Sequence, residues 1–372
     1  GNLSEARSLV ATARATAPRS IEPRLAEIQL LTRQGSLNKA LQGASELSAA
    51  FPDNPQAHLH LATVLERLGR FDESAAAYRA VVRLLPSEAN AWHRLGHALT
   101  RARQYPAAEQ ALARASKLGP EQISITLANA RLKILQGQPE SALATAEALV
   151  GDEKHAVAGE ILAGQAFLAL GDVAKAIASF ERARARDDSG EAVLLLLQAY
   201  RIADDSGAGY RVVSEWLSSH PNNTTVRTAL ANTYQIDGRV PAAIKHYEQV
   251  LSTSRGILPL TLNNLAILYS QADDPRALAT AEAALAAAPD DARIRDTVGW
   301  LMLKAGKLET AITFLRTAAQ GLPKNPTVRF HLASAYAQAG DLARSEKLLR
   351  EALAMGNFAE RAEAELMLRR LR

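Results

Sequence analysis

The chain has 372 residues, of which 48% are hydrophobic, only 5% aromatic and 22% charged, with a net charge of +4. It contains no cysteine, which excludes disulfides and thiolate metal sites and fits cytoplasm or periplasm alike. Its charges are mixed in sign, with no basic run of the kind that tracks phosphates, and no apolar stretch reaches the length of a membrane span.

The first predicted element, over residues 1–20, carries Leu3, Ala6, Val10, Ala13 and Pro18 and matches the second half of a repeating unit. The chain thus opens mid-repeat, and residue 1 is expected to be a truncation boundary. From residue 21 onward, units start at 21, 55, 89, 123, 157, 191, 224, 259, 292 and 326, almost always 34 residues apart. The third unit shows the pattern in full: Trp92, Leu95, Gly96 and Leu99 recur at helical spacing, followed by Tyr105, Ala108, Leu112, Ala115 and Pro120. The second unit repeats it with His58, Leu61, Ala62, Leu65, Gly69, Phe71, Ser74, Tyr78, Val81 and Pro86. This spacing resembles the tetratricopeptide (TPR) repeat, which implies two antiparallel helices per unit and a right-handed, all-α solenoid of about ten repeats.

Small residues share one position, Ala62, Gly96, Gly164, Ala231, Ala266, Gly299 and Ala333, where a large side chain would push paired helices apart. Gly69, Gly137, Gly171, Gly238, Gly306 and Gly340 share another, just past the first helix, where a left-handed cap suits glycine. Pro106, Pro139, Pro241 and Pro275 are placed at the start of second helices, and Pro52, Pro86, Pro120, Pro289 and Pro323 close units.

Repeats one to five occupy residues 21–190. The sixth, 191–223, is degenerate: Gln198 stands at the small position, Tyr210 at an expected alanine, and the loop reads Asp204 to Gly209. It is expected to change the helix crossing there and to act as a hinge before repeats seven to ten at 224–357. Residues 358–372, with Leu366, Met367, Leu368 and Leu371, read as a closing helix.

The resemblance implies that the first helices line the inner, concave face. The positions that point into it give a basic and polar stripe in the N-terminal half: Arg33, Thr63, Arg67, His93, His97, Arg101 and Arg131. The C-terminal half gives Asn232, Gln235, Asn263, Ser270, Asp296, Trp300, Phe330, Ser334 and Gln338, amides and hydroxyls beside two aromatics that suit peptide or sugar contacts. Trp300 is displaced by five positions from the core site that Trp92 fills, so its truncation is expected to weaken ligand binding while leaving the fold largely intact.

No catalytic or cofactor site is expected. Gly207-Ala208-Gly209 lacks the third glycine and the strand-before, helix-after context of a dinucleotide loop. The pairs Asp187-Asp188, Asp204-Asp205 and Asp290-Asp291 lie at turns, where they favour helix N-termini. His93 and His97 are four apart and share a helical face, but two imidazoles are fewer than a stable zinc site needs.

One region is more particular. Leu262-Asn263-Asn264-Leu265-Ala266, Asp274-Pro275-Arg276-Ala277-Leu278, Asp296-Thr297-Val298-Gly299-Trp300 and Val328-Arg329-Phe330-His331-Leu332-Ala333 run in order. This resembles the C-terminal repeats of the PEP-CTERM (exosortase) system TPR-repeat lipoprotein, over about residues 225–355. The resemblance implies a non-enzymatic periplasmic scaffold for exopolysaccharide export or protein sorting, binding protein or peptide partners or the exported polysaccharide, and no nucleic acid. The family's lipid-bearing cysteine is absent from this sequence. The alternatives are the TPR arm of a larger enzyme such as a glycosyltransferase, a direct polysaccharide-binding module, or a cytoplasmic adaptor.

Overall fold

The computed structural model describes residues 3–17, 20–254 and 256–371, and among them it contains 22 α-helices and no strand. Pro18 and the side chains of Leu3 and Ala6, assigned to the opening partial repeat, lie outside the described residues. Helix α1 (Leu3–Thr16) comes first. Pairs follow: α2 (Glu22–Arg33) with α3 (Leu37–Ala50), α4 (Pro55–Arg67) with α5 (Phe71–Leu84), and α6 (Ala89–Arg101) with α7 (Tyr105–Leu118). Then come α8 (Ile123–Leu135) with α9 (Pro139–Val150), α10 (Ala156–Ala169) with α11 (Val173–Arg186), and α12 (Gly190–Ile202) with α13 (Ser206–Ser219). The chain continues with α14 (Thr224–Ile236) and α15 (Val240–Thr253), α16 (Pro259–Gln271) and α17 (Ala277–Ala287). It ends with α18 (Ala292–Lys304) and α19 (Leu308–Gly321), α20 (Pro326–Gln338) and α21 (Leu342–Ala354), and the single helix α22 (Arg361–Arg370). The fold is an all-α solenoid of helix pairs.

The small residues lie where paired helices touch. A β-carbon on Gly96 would meet the Leu112 side chain at 2.6 Å, and one on Gly299 would meet Leu315 at 2.7 Å. The turn glycines Gly69, Gly137, Gly171, Gly238, Gly306 and Gly340 all have φ between 68° and 79°, and Arg103, Asp204 and Asp273 take the same left-handed place in three other units. Pro106, Pro139 and Pro241 stand in the first turn of their helices. Pro275 does not: α17 begins two residues later, because Asp274 accepts the Arg276 backbone N–H at 2.9 Å and holds a separate turn.

The sixth pair corrects the sequence reading. Gln198 is exposed, and the helix-contact position falls on Leu197, whose bulk is received by Gly209 on α13. The small residue of this contact is therefore on the second helix, where it makes room for the larger one on the first. The first helices of pairs five and six end at Ala169 and Ile202, 33 residues apart, and the next ends at Ile236, 34 further on. The one-residue deletion therefore precedes this unit rather than following it. Asp204 fills the left-handed turn position, and Asp205 caps α13 by accepting the Ala208 N–H at 3.0 Å.

The chain divides into two compact units, Gly1–His220 and Pro221–Arg372. Within the first, the first helices of successive pairs touch directly, as α2 does α4, α6 does α8 and α8 does α10. Within the second, α16 touches α18 and α18 touches α20. Second helices of neighbouring pairs make at most marginal contact within either unit. Each stack therefore closes on its first-helix side and splays on its second-helix side.

Candidate binding face

Four first helices are tied to the loop that precedes them by their fourth residue. Trp92 Nε1–H donates to the Pro86 carbonyl at 3.0 Å, and His58 contacts that of Pro52 at 2.8 Å. Arg227 and Arg329 do the same to Pro221 and Pro323 at 2.8 and 2.7 Å. The carbonyls of Pro52, Pro86, Pro221 and Pro323 thus find donors.

In the first unit, Arg67, His97, Arg101 and Arg131 are exposed on successive first helices, while His93 is half-buried. Arg33 is exposed as well, and Thr63 turns its hydroxyl back to the Leu59 carbonyl at 2.9 Å. Arg101 lies 4.6 Å over the Phe71 ring, and Arg131 Nε–H donates to Gln165 at 3.1 Å. Neighbouring helices are joined through Glu66, whose carboxylate contacts His97 Nδ1 at 3.3 Å and accepts the Tyr78 hydroxyl at 3.2 Å. Burial, and then the Glu66 charge, push the Tyr78 hydroxyl pKa up, so it stays a donor. Burial, followed by His97 and Arg94, holds His93 below its ordinary value, keeping it neutral at pH 7. Among the described residues, no three His, Cys, Asp or Glu side chains come together in a way that could hold a metal ion.

In the second unit, Asn232 is exposed and Gln235 half-buried, and both accept from the Tyr247 hydroxyl. That hydroxyl in turn accepts Asn264 Nδ2–H at 3.1 Å. Asn263 is buried, with an Oδ1 that has no hydrogen-bond partner. Trp300 is half-buried: His331 stacks on it with ring centroids 4.2 Å apart, and the Lys304 ammonium stands 5.7 Å from its centroid. Beneath it, His331 Nδ1 lies 3.0 Å from both oxygens of Asp296, a buried pair joining α18 to α20. Lys304 also donates to Ser270 at 3.2 Å, and Ser334 turns its hydroxyl to the Phe330 carbonyl. Phe330 departs from expectation. It is fully buried among Ala333, Leu349 and Ala364, because the closing helix covers it, and it does not line the face. Gln338 is exposed at the end of α20.

The sequence reading missed Glu66, Tyr78, Tyr247 and His331. The signal for two of them was present: Tyr78 and Tyr247 are both the eighth residue of a second helix, deep enough for only the hydroxyl to reach the first-helix layer.

Profiles of the tetratricopeptide repeat family match residues 25–89, 61–123 and 125–192 in overlapping segments, then 224–258 and 302–368. The chain is a tetratricopeptide-repeat protein, of the class that forms protein-interaction scaffolds. A tetratricopeptide repeat protein from Parabacteroides merdae has a similar fold, with a TM-score of 0.52 and 16% identity over 62% of this chain and 91% of its own. The Cut9–Hcn1 hetero-tetramer of the APC/C aligns with a TM-score of 0.49 and 14% identity, over 100% of this chain and 87% of that one. No curated protein matches the chain significantly. No helix among the described residues is long and apolar enough to cross a membrane.

Proposed function

We propose that this chain is a non-enzymatic scaffold that holds an extended partner polypeptide against its first-helix faces. The observation that carries this is the display of Arg67, Arg101 and Arg131, exposed on successive first helices and paired with no carboxylate. A guanidinium left without an ion-pair partner keeps its full capacity for carboxylates or backbone carbonyls. Asn232, Gln235 and Gln338 offer amides of the kind that read a peptide backbone. The setting we infer is the bacterial envelope, on the periplasmic side and with a lipid anchor, in exopolysaccharide export or protein sorting. Its support is the resemblance of residues 225–355 to the repeats of the PEP-CTERM system lipoprotein.

The test is affinity capture from a Gram-negative envelope fraction with the chain and with its Arg67→Ala/Arg101→Ala/Arg131→Ala variant, beside a glycan array. The expected result is a set of polypeptides retained by the parent and lost by the variant, with a blank array. Retention of glycans without polypeptides would replace this reading with a polysaccharide-binding one.

A further inference from the structure

Because second helices splay apart, the outer side of the first unit is grooved, and one groove differs from its neighbours. Between α5 and α7 lies an open cleft of about 740 Å³. Its walls are two helical rows, Ala76, Arg79 and Arg83 on α5 facing Ala107, Gln110 and Arg114 on α7. Its floor is apolar and comes from α6, which presents Trp92, Leu95 and Leu99. Both rows follow helical spacing, so Ala76 and Ala107 lie at one end and Arg83 and Arg114 at the other, with Arg79 between them and its guanidinium reaching back to Gln104 just before α7.

None of the three arginines forms an ion pair. Arg79 donates to Gln104 at 3.1 Å, and no carboxylate lines the cleft. Neither the repeat nor the helix dipole accounts for them. In the groove between α3 and α5, the equivalent positions hold Ser45, Ala49 and Ala80; between α7 and α9 they hold Ala113, Lys117 and Ala148. Arg83 stands in the last turn of α5, where a cation favours the helix end, but Arg79 and Arg114 lie further inside their helices.

We propose that this outer cleft is a second docking site, separate from the first-helix face, for an amphipathic helix of a partner protein with carboxylates at one end. Its apolar residues at i, i+3, i+4 and i+7 would lie over Trp92, Leu95 and Leu99, between the alanines that permit close approach. Its carboxylates would meet Arg83 and Arg114, planar bidentate donors without an internal ion pair, while Arg79, bonded to Gln104, lines the middle of the cleft. Charge complementarity of this kind sets orientation and association rate and weakens with salt.

The experiment is a display selection on the intact immobilised chain, with a library of randomised helical peptides about four turns long. Selected peptides are then measured by fluorescence anisotropy against the parent, against Arg79→Gln/Arg83→Gln/Arg114→Gln, and against Arg67→Gln/Arg101→Gln. All five arginines are exposed, so circular dichroism should show all three proteins folded. Supporting peptides combine an apolar stripe with acidic residues at one end. They lose about tenfold in affinity on the outer-cleft variant and at high salt, and are unchanged on the first-helix-face variant. A selection yielding no peptide sensitive to the outer-cleft variant overturns the proposal. So does self-association of the parent, read by sedimentation, that the outer-cleft variant abolishes, which would make a second copy of this chain the occupant.

Discussion

A β-carbon added at Gly96 would lie 2.6 Å from both Cγ and Cδ2 of Leu112, while one added at Gly209 would lie 3.2 Å from Leu197 Cδ1. The first has no room to relax, since Leu112 is buried to 1% exposure. Gly96→Leu is therefore expected to cost about 3 kcal/mol by urea unfolding, whereas exposed Gln198→Ala should stay within about 0.5 kcal/mol. A double-mutant cycle of Leu197→Ala with Gly209→Leu should show favourable coupling, the second change refilling the space left by the first. The small-residue rule was legible because seven units restate it. Its inversion in the sixth unit was not, since a one-residue deletion moves the register and only burial shows where. Trp300 shows a similar boundary. Its displaced position identified it as unusual, but its stacking on His331 depends on a residue 31 positions away. Trp300→Ala is accordingly expected to lower stability by about 2 kcal/mol, in contrast to the mild effect that the sequence implied. An unchanged melting temperature would show that the stack contributes nothing.

At the scale of the helix, α15 carries a pH response. His246 stacks on Tyr234 with centroids 5.4 Å apart and has a buried Nδ1 without a partner. Burial, and then Arg227 and Lys245, hold its pKa at about 4 against an ordinary 6.5. Between those values the unfolded chain binds a proton that the folded chain refuses, so stability is full above pH 6.5 and falls as the pH drops toward 4. The loss should be about 1–2 kcal/mol, below what the full shift implies because the ring is only half-buried. His246→Phe should flatten the melting temperature across this window, apart from the smaller slope that His93 contributes in the same direction. Helix α22 has a different duty. Phe358, just before it, packs 6.4 Å from Phe330, Ala364 is fully buried, and Thr327 donates to Glu360 at 2.9 Å. Deleting residues 358–372 should expose Phe330 and Leu349, lower the thermal stability of the second unit and promote association, which size-exclusion chromatography would detect.

At the scale of the whole chain, stability is a sum of repeats and of interfaces between neighbours rather than the property of one core. The cluster around Tyr78, Leu99 and Leu112 lies within the first unit. Those around Tyr247, Leu301 and Leu315, and around Phe330 and Leu349, lie within the second. The 34-residue period made ten pairs readable because each needs only local contacts, but it carries no information on where a compact unit ends. That division falls at His220 and Pro221, and the prediction it suggests is that each unit folds by itself. Expressed separately, residues 1–220 and 221–372 should each be helical and unfold cooperatively. Their summed circular dichroism should match that of the intact chain. The intact chain should in turn give urea transitions that differ between a probe at Trp92 and one at Trp300, since two-state behaviour is not expected of two such units. If either half is unstructured alone, or if both tryptophans report one coincident transition, the two units fold as a single cooperative body.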